Sequence, residues 1–502
     1  MKMKKIKYLI ALSVMIGVAL SCSDDFIDLD PKGATLEGNY YKNETEAFSG
    51  LIAVYDVMKK HTGGFENMVT FLNAGSDDFY AGGGGATDGT GIQSFSNYSI
   101  TEATMPGSYW NDYFQGVFRA NLLLSKLPAV PMDDTKKARF EAEAKALRAY
   151  YYFELVRTFR NVPLFTSLLA PTDIYNVTQA TPEEVYAQIE TDLTDALNVL
   201  PATLDVSTEA GRLSKGSVQA LLGKVYLYEG KNSQAAEQFA VVNGTPGGTS
   251  VYGYRLLGNY ADLWVPANKY NSESILESSH NSTSQASWGN WGSGSDEGNS
   301  MSQMIGPRGF QRLTNAAPDL AGGWSFNTVT PSLHDALVGD PRYNATILDM
   351  AALQSAGSAN YSPGYMDTGW FLKKYLPLTT DRTTSGGVIE LNYGINSYVI
   401  RLADTYLMEA EALGATGPRA QALLDAVRTR VGLPSVPVSM AAIMNERRLE
   451  LAGEGHRWFD LVRTGQAPTV LGPKGFTAGK NEIWPIPLNE LSNTKLVQNP
   501  NY

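Results

Sequence analysis

The stretch from Lys215 to Val242 limits the fold most, because it has the pattern of two short helices that fold back on each other. Gly223 in the first helix and Ala235 in the second are small, which lets the two helices approach closely. Pro246 follows soon after the second helix, and proline cannot continue a helix. We therefore expect packed helical hairpins to build at least part of the core.

The spacing of residues within this stretch is that of a tetratricopeptide repeat. The step from Tyr226 to Ala235 has the expected length, although Gln219 replaces the usual opening tryptophan. A second, weaker helical hairpin is predicted from Ser397 to Val431. Since the spacing between these units is not constant, we expect a helical scaffold interrupted by insertions and not a regular solenoid.

Other segments also have helical patterns. Apolar residues recur at helical spacing from Trp110 to Val117 and from Ala138 to Thr158, and Thr181–Glu184 is a helix start signal. The sequence thus predicts a mainly α fold for a single domain of residues 22–502. Its helical scaffold is expected to occupy about residues 22–242 and 397–502.

The segment of about residues 243–396 is predicted to be a large, irregular, loop-rich insertion with minor β structure. The segment is rich in Gly, Ser, Asn and Thr, and its helical stretches are short. It contains five of the eight tryptophans: Trp264, Trp288, Trp291, Trp324 and Trp370. A loop-rich segment of this length is uncommon unless it carries function, so we expect it to bind the ligand.

The first 21 residues have the features of a secretory signal peptide. Four lysines precede an apolar run, Tyr8–Leu20, which is too short to span a bilayer. The sole cysteine, Cys22, follows at once and resembles the lipid attachment site of bacterial lipoproteins, with Ala19 where such signals usually have leucine. Acylation of Cys22 is therefore expected to tether the chain to a membrane. The alternative is a plain secretory peptide cleaved elsewhere.

Signatures of catalysis are absent from the sequence. No GxGxxG, GxxxxGK[ST], GxSxG or HExxH motif occurs, and the four histidines lie far apart in sequence. A single cysteine excludes a disulfide, and we expect neither a cofactor nor a metal site, although structural calcium is not readable from the sequence. The net charge of −11 gives no basic footprint for nucleic acid. A spatial pair of carboxylates for sugar hydrolysis is neither supported nor refuted.

Aromatic residues in polar, glycine-rich loops are the better lead to function. Trp288 and Trp291 lie in a Ser-Trp-Gly-Asn-Trp-Gly run, Tyr80 lies in the loop of residues 75–93, and Trp324 follows two glycines. Flat amphipathic rings beside amide and hydroxyl groups suit stacking on sugars. These four residues are the predicted ligand-binding residues. The alternative is that each indole pins a loop to the scaffold.

A charge-rich segment, Asn445–Gly465, is interpreted as a structural clamp. Gly453 and Gly455 are expected to separate two short helices, with Trp458 and Phe459 packing inward. The charges are spaced for pairing three residues apart. The expected pairs are Arg447 with Glu450, Glu454 with Arg457, Arg457 with Asp460, and Asp460 with Arg463.

Five segments together resemble the SusD/RagB family. Two of them, Asn445–Leu451 and Glu454–Arg463, form the charge-rich signature. The others are Tyr398–Leu413, Val427–Pro434 and the C-terminal Trp484–Pro487 with Gln498–Tyr502, where Asn501 stands in place of the usual glycine. With the lipoprotein start, the resemblance covers essentially the whole chain.

The resemblance implies a non-catalytic surface lipoprotein of the outer membrane that faces the cell exterior. Family members carry tetratricopeptide-like hairpins, cover a TonB-dependent transporter of the SusC type and capture a glycan for import. Two alternatives remain open at this point. One is a peptide- or protein-binding module serving the same type of transporter, and the less favoured one is a surface glycoside hydrolase.

Overall fold

The computed structural model describes residues 40–283, 286–289, 291 and 297–502. The expected signal peptide and Cys22 lie outside the described residues. The predicted mainly α fold is confirmed. From the N-terminal side, the helices of the first part are α1 (Glu44–Tyr55), α2 (Met68–Gly75), α3 (Thr90–Ser96), α4 (Ser108–Lys126), α5 (Asp134–Phe159), α6 (Pro182–Leu197), α7 (Val206–Glu209), α8 (Lys215–Tyr228) and α9 (Asn232–Asn243).

Shorter elements dominate the middle of the chain. They are β1 (Ser274–Ser278), α10 (Ser300–Ile305), β2 (Gln311–Arg312), α11 (Pro331–Leu337), α12 (Tyr343–Thr346), β3 (Ile347–Asp349), α13 (Met350–Ser355), β4 (Ala359–Asn360) and β5 (Trp370–Leu372). The C-terminal part contains β6 (Ser397–Arg401), α14 (Leu402–Ala412), α15 (Gly417–Arg430), α16 (Met440–Glu450), α17 (Arg457–Arg463), α18 (Ala467–Leu471) and α19 (Leu488–Leu491). Short 3-10 turns occur at Asp56–His61, Leu127–Ala129, Ile174–Asn176, Tyr260–Trp264, Pro266–Asn268, Ile389–Leu391 and Gly472–Lys474.

Local sequence signals explain where several helices begin and how they pack. At the start of α6, the Thr181 side chain accepts the N–H of Glu184, and the Glu184 carboxylate accepts the N–H of Thr181. Helices α8 and α9 form the hairpin expected in this stretch. A methyl group on Gly223 would lie 2.8 Å from the Phe239 ring, so this helix pair needs a residue without a side chain at position 223.

The second hairpin differs from the expectation at its start. Residues Ser397–Arg401 form β6 and not helix, and helix α14 begins at Leu402. The run Ser-Tyr-Val-Ile-Arg is rich in β-branched and aromatic residues, which favour a strand. It pairs antiparallel with β1, and Ser278 lies opposite Ser397. This pairing joins the middle of the chain to the C-terminal helices.

The remaining strands also form small antiparallel pairs, β2 with β4 and β3 with β5. The minor β content predicted for the middle segment is therefore present. The main core lies between the helices and includes Trp110 and Trp458, which are 4% and 0% exposed. Within the described ranges, no helix has the length and apolar character needed to cross a membrane.

The charge-rich segment folds as two helices, α16 and α17, joined by a turn. Gly453 and Gly455 have φ values of +78° and +81°, a left-handed conformation that favours glycine. Trp458 and Phe459 pack into the core as expected, with exposures of 0% and 3%. The interpretation of the segment as two short helices around a break is consistent with this geometry.

Most of the expected ion pairs within this segment are wrong. Asp460 pairs with Arg463 at 2.6 Å as expected, but Arg447 pairs with Asp404 at 2.7 Å and with Asp460, not with Glu450. Arg457 reaches Asp77 at 2.8 Å in place of Glu454 or Asp460. Pairs three residues apart contribute little on a helix, whereas a buried charge requires close partners wherever the fold supplies them.

The two glutamates of the segment belong to a buried ionic cluster that joins distant parts of the chain. Glu450 pairs with Arg342, Arg401 and Arg430, and Glu454 pairs with Lys374 and Arg401. Every side chain of this cluster is at most 3% exposed. Arg342 and Lys374 come from the middle segment, so the cluster fastens that segment to the C-terminal helices.

Buried histidines make the stability of the fold sensitive to acid. His280 contacts Thr62 Oγ1 at 2.8 Å, and burial lowers the pKa of His280 to about 3. Burial likewise lowers the pKa of His456 to about 4. In the unfolded chain both histidines take up a proton near pH 6.5, roughly their ordinary pKa. The contribution of these neutral histidines to the free energy of unfolding is therefore fully present above that pH. It decreases as the pH falls toward the folded pKa values.

We expect the urea midpoint of unfolding to be lower at about pH 5 than at about pH 7.5. A His280→Gln variant should lose less of its midpoint over the same interval, because glutamine does not titrate there. Equal losses in the variant and the unmodified protein would contradict the role assigned to His280.

Candidate functional site

Three tryptophans that are separated in sequence meet on one surface. The ring centroids of Trp288 and Trp324 lie 6.1 Å apart, and their planes are inclined by 29°. The Trp291 ring makes edge-on contacts with both. Its centroid lies 5.8 Å from that of Trp288 and 5.7 Å from that of Trp324, with interplanar angles of 89° and 70°. We call the surface formed by Trp288, Trp291 and Trp324 the tryptophan platform.

Phe65 supports the tryptophan platform from below. Its ring centroid lies 5.9 Å from that of Trp291 and 6.3 Å from that of Trp324. It also packs edge-on against Phe326, with a centroid distance of 5.4 Å. Gly89 lies against the same ring, where a methyl group would be 2.9 Å from Phe65. The platform therefore packs against the N-terminal part of the chain.

Ser300, the first residue of α10, fixes Trp291. Its hydroxyl oxygen accepts the indole N–H of Trp291 at 3.1 Å and the backbone N–H of Gly64 at 2.9 Å. Phe65 follows Gly64 in the chain. The Ser300 hydroxyl oxygen therefore links Trp291 to the segment that carries Phe65. Such support limits the conformational freedom lost on binding.

The tryptophan platform is open to solvent. Trp288 is 56% exposed, and Trp291 and Trp324 are half-buried. Two cavities of about 290 and 250 Å³ lie elsewhere, and both are lined by Gly211 and Tyr270. An open aromatic surface suits a ligand that is much longer than the site, because a polymer can enter and leave without threading into a cavity.

Tyr80, the fourth predicted ligand-binding residue, belongs to a different loop from the three tryptophans. It is half-buried, and its N–H donates to the Thr328 carbonyl at 2.9 Å. Among the described residues, no ring contact joins Tyr80 to the tryptophan platform. Its role in binding stays a prediction.

The loop that carries Tyr80 is anchored to the charge-rich segment. Arg457 contacts Asp77 at 2.8 Å, and Arg448 contacts Asp78 at 2.7 Å. Burial and the neighbouring Asp77 carboxylate raise the pKa of Asp78 to about 6. The segment interpreted as a clamp thus also positions the glycine-rich loop beside the platform.

The other two tryptophans of the middle segment have structural surroundings. Trp264 is 7% exposed and packs edge-on against Tyr375 and Tyr398. Trp370 lies in β5 and stacks on His334 with a centroid distance of 3.7 Å. For these two, the alternative that an indole pins a loop to the scaffold fits the geometry.

Sequence reasoning missed Phe65 and Ser300. A signal for Phe65 was present, since it follows Gly63 and Gly64 in the same kind of glycine-rich run that singled out the tryptophans. No local pattern indicates Ser300, whose importance arises from contacts with residues far away in sequence. Over the described ranges, no cluster of His, Cys, Asp and Glu has the grouping needed to hold a metal ion.

Comparisons with known proteins agree with this architecture. Residues 272–477 match the SusD family, and residues 83–227 match a family described as starch-binding and associating with outer membrane. A SusD-like protein, P38, from Formosa agariphila is 26% identical over the full length of both chains.

Two solved structures are also similar. A laminarin-binding SusD-like protein is 63% identical with a TM-score of 0.91, covering 92% of this chain and 100% of its own. Surface glycan-binding protein A from Bacteroides thetaiotaomicron, in complex with laminarihexaose, is 27% identical with a TM-score of 0.80, covering 91% and 99%. The resemblance noted in the sequence is thereby confirmed, and the chain belongs to the SusD family.

Proposed function

We propose that this protein binds a β-glucan of the laminarin type on the tryptophan platform and does not hydrolyse it. The observation that carries the proposal is the convergence of Trp288, Trp291 and Trp324 on one open surface. Indole faces stack on the C–H faces of sugar rings. The choice of ligand is supported by the two similar structures, one described as laminarin-binding and the other in complex with laminarihexaose.

The setting of this function is an outer-membrane complex. The family matched by residues 83–227 is described as associating with outer membrane. We propose a lipid anchor on Cys22, an orientation toward the cell exterior, and delivery of the glycan to a TonB-dependent transporter of the SusC type. These three points are supported by the leader sequence and by family membership.

Calorimetry of the protein without its leader, titrated with laminarihexaose and then with maltohexaose and cellohexaose, tests the proposal. We expect saturable binding of laminarihexaose, weaker binding of the other two, and no release of reducing ends from laminarin on prolonged incubation. Binding of peptides without binding of any glucan would favour the peptide-binding alternative. Sustained release of reducing ends would identify a hydrolase.

A further inference from the structure

An exposed ion pair lies at the edge of the tryptophan platform. Arg308 Nη2 donates to the backbone carbonyl of Trp324 at 3.3 Å, and its Nη2 lies 3.6 Å from Asp88 Oδ2. Asp88 is adjacent to Gly89, which packs against the Phe65 ring beneath the platform. Arg308 therefore contacts the platform at the Trp324 backbone, and Asp88 lies next to Arg308, one residue before the glycine that packs on Phe65.

The two side chains retain hydrogen-bonding capacity that faces solvent. The Arg308 side chain is 40% exposed and that of Asp88 is 37% exposed. Asp88 Oδ2 accepts the N–H of Gly84 at 2.6 Å, while no described group of the protein donates to Asp88 Oδ1. Similarly, within the described part of the chain nothing accepts from Arg308 Nη1. A donor and an acceptor are thus available side by side.

This pair is held in place before any ligand arrives. The backbone N–H of Arg308 donates to Ser325 Oγ at 2.9 Å, which fixes the start of the side chain next to Trp324. Gly83 and Gly84 have no side chains, so Asp88 and Arg308 can lie close to the backbone at these two positions. A methyl group on Gly83 would lie 3.1 Å from Asp88 Oδ2, and one on Gly84 would lie 3.0 Å from Arg308 Nη2. The glycine run therefore brings the two charges together.

We propose that Arg308 and Asp88 determine specificity for an uncharged sugar at this site. Arg308 donates to one hydroxyl, and Asp88 accepts from another hydroxyl, of the sugar ring that lies on Trp324. A hydroxyl both donates and accepts, so a neutral sugar satisfies both groups. An anionic sugar is attracted by Arg308 but repelled by Asp88 at nearly the same distance. This proposal rests on the proposed function and names the ligand class of the same site.

The first test compares Arg308→Ala with Arg312→Ala. Arg312 is a matched control, since its side chain is 35% exposed, its Nη1 lies 4.0 Å from Asp319 Oδ2, and its Nε donates to the Ala317 carbonyl and not to a platform residue. Loss of a charged hydrogen bond should raise the Kd for laminarihexaose about tenfold in Arg308→Ala and change it less than about twofold in Arg312→Ala. Thermal unfolding should be affected equally little in both. Similar affinities in the two variants would overturn the proposal.

The second test uses Asp88→Asn with laminarin and carboxymethylated β-1,3-glucan as probes. Asparagine still accepts the N–H of Gly84 but leaves the charge of Arg308 uncompensated. We expect the preference of the unmodified protein for laminarin over the anionic glucan to shrink at least about fivefold in this variant, and more so at low salt. An unchanged preference would overturn the proposal for this pair. Failure of the unmodified protein to bind any glucan would instead overturn the proposed function, and this proposal with it.

Discussion

Replacing Trp288 and Trp291 together with alanine is expected to weaken the binding of laminarihexaose at least tenfold while leaving the fold intact. Each indole offers one stacking face, and each such interaction contributes about 1 kcal/mol or somewhat more. Loss of two faces, about 2 kcal/mol, corresponds to a factor of roughly 30 in Kd. The fold should survive, because Trp288 is 56% exposed and Trp291 is half-buried on a loop.

Isothermal titration calorimetry with laminarihexaose measures this effect, and circular dichroism checks the fold. Tyr175→Ala is a suitable control, because Tyr175 is an aromatic residue that is 62% exposed on a different segment, Ile174–Asn176. We expect the control variant to bind like the unmodified protein. Unchanged affinity in the double variant would remove both tryptophans from the binding site.

The second large effect is expected for Arg401→Met, which should destabilise the fold severely. Arg401 is 1% exposed and binds Glu273 at 2.8 Å, Glu450 at 2.6 Å and Glu454 at 2.8 Å. Burial alone would raise the pKa of Glu450, but Arg430, Arg401 and Arg342 hold it well below its ordinary value. Removing Arg401 leaves buried carboxylates short of a partner, which costs about 3–5 kcal/mol.

Chemical denaturation followed by circular dichroism measures the free energy of unfolding of this variant. Arg312→Met carries the same substitution at a 35% exposed position, where an ion pair contributes about 1 kcal/mol or less. A much larger loss in Arg401→Met than in Arg312→Met is the expected result. Similar losses of stability in the two variants would contradict the role of the buried ionic cluster in fastening the middle segment to the C-terminal helices.

The charge-rich segment illustrates the limit of local reasoning. Its two helices, the glycine turn between them and the inward packing of Trp458 follow from residues within the segment itself. Its ion partners do not, because Arg447 and Arg457 reach Asp404 and Asp77 in distant parts of the chain. A buried charge is strongly stabilised by any partner with good geometry, however far away in sequence that partner lies.

From the amino-acid sequence alone we could predict the helical scaffold, the loop-rich middle segment, the aromatic residues in polar loops and the family resemblance. Helical periodicity and turn residues act over a few positions, so they can be recognised locally. No sequence pattern indicates that Trp288, Trp291 and Trp324 meet over Phe65 or that Trp264 is buried, and these contacts are seen only in the folded chain. Such contacts depend on how distant loops pack on the scaffold, and that packing leaves no periodic pattern along the chain.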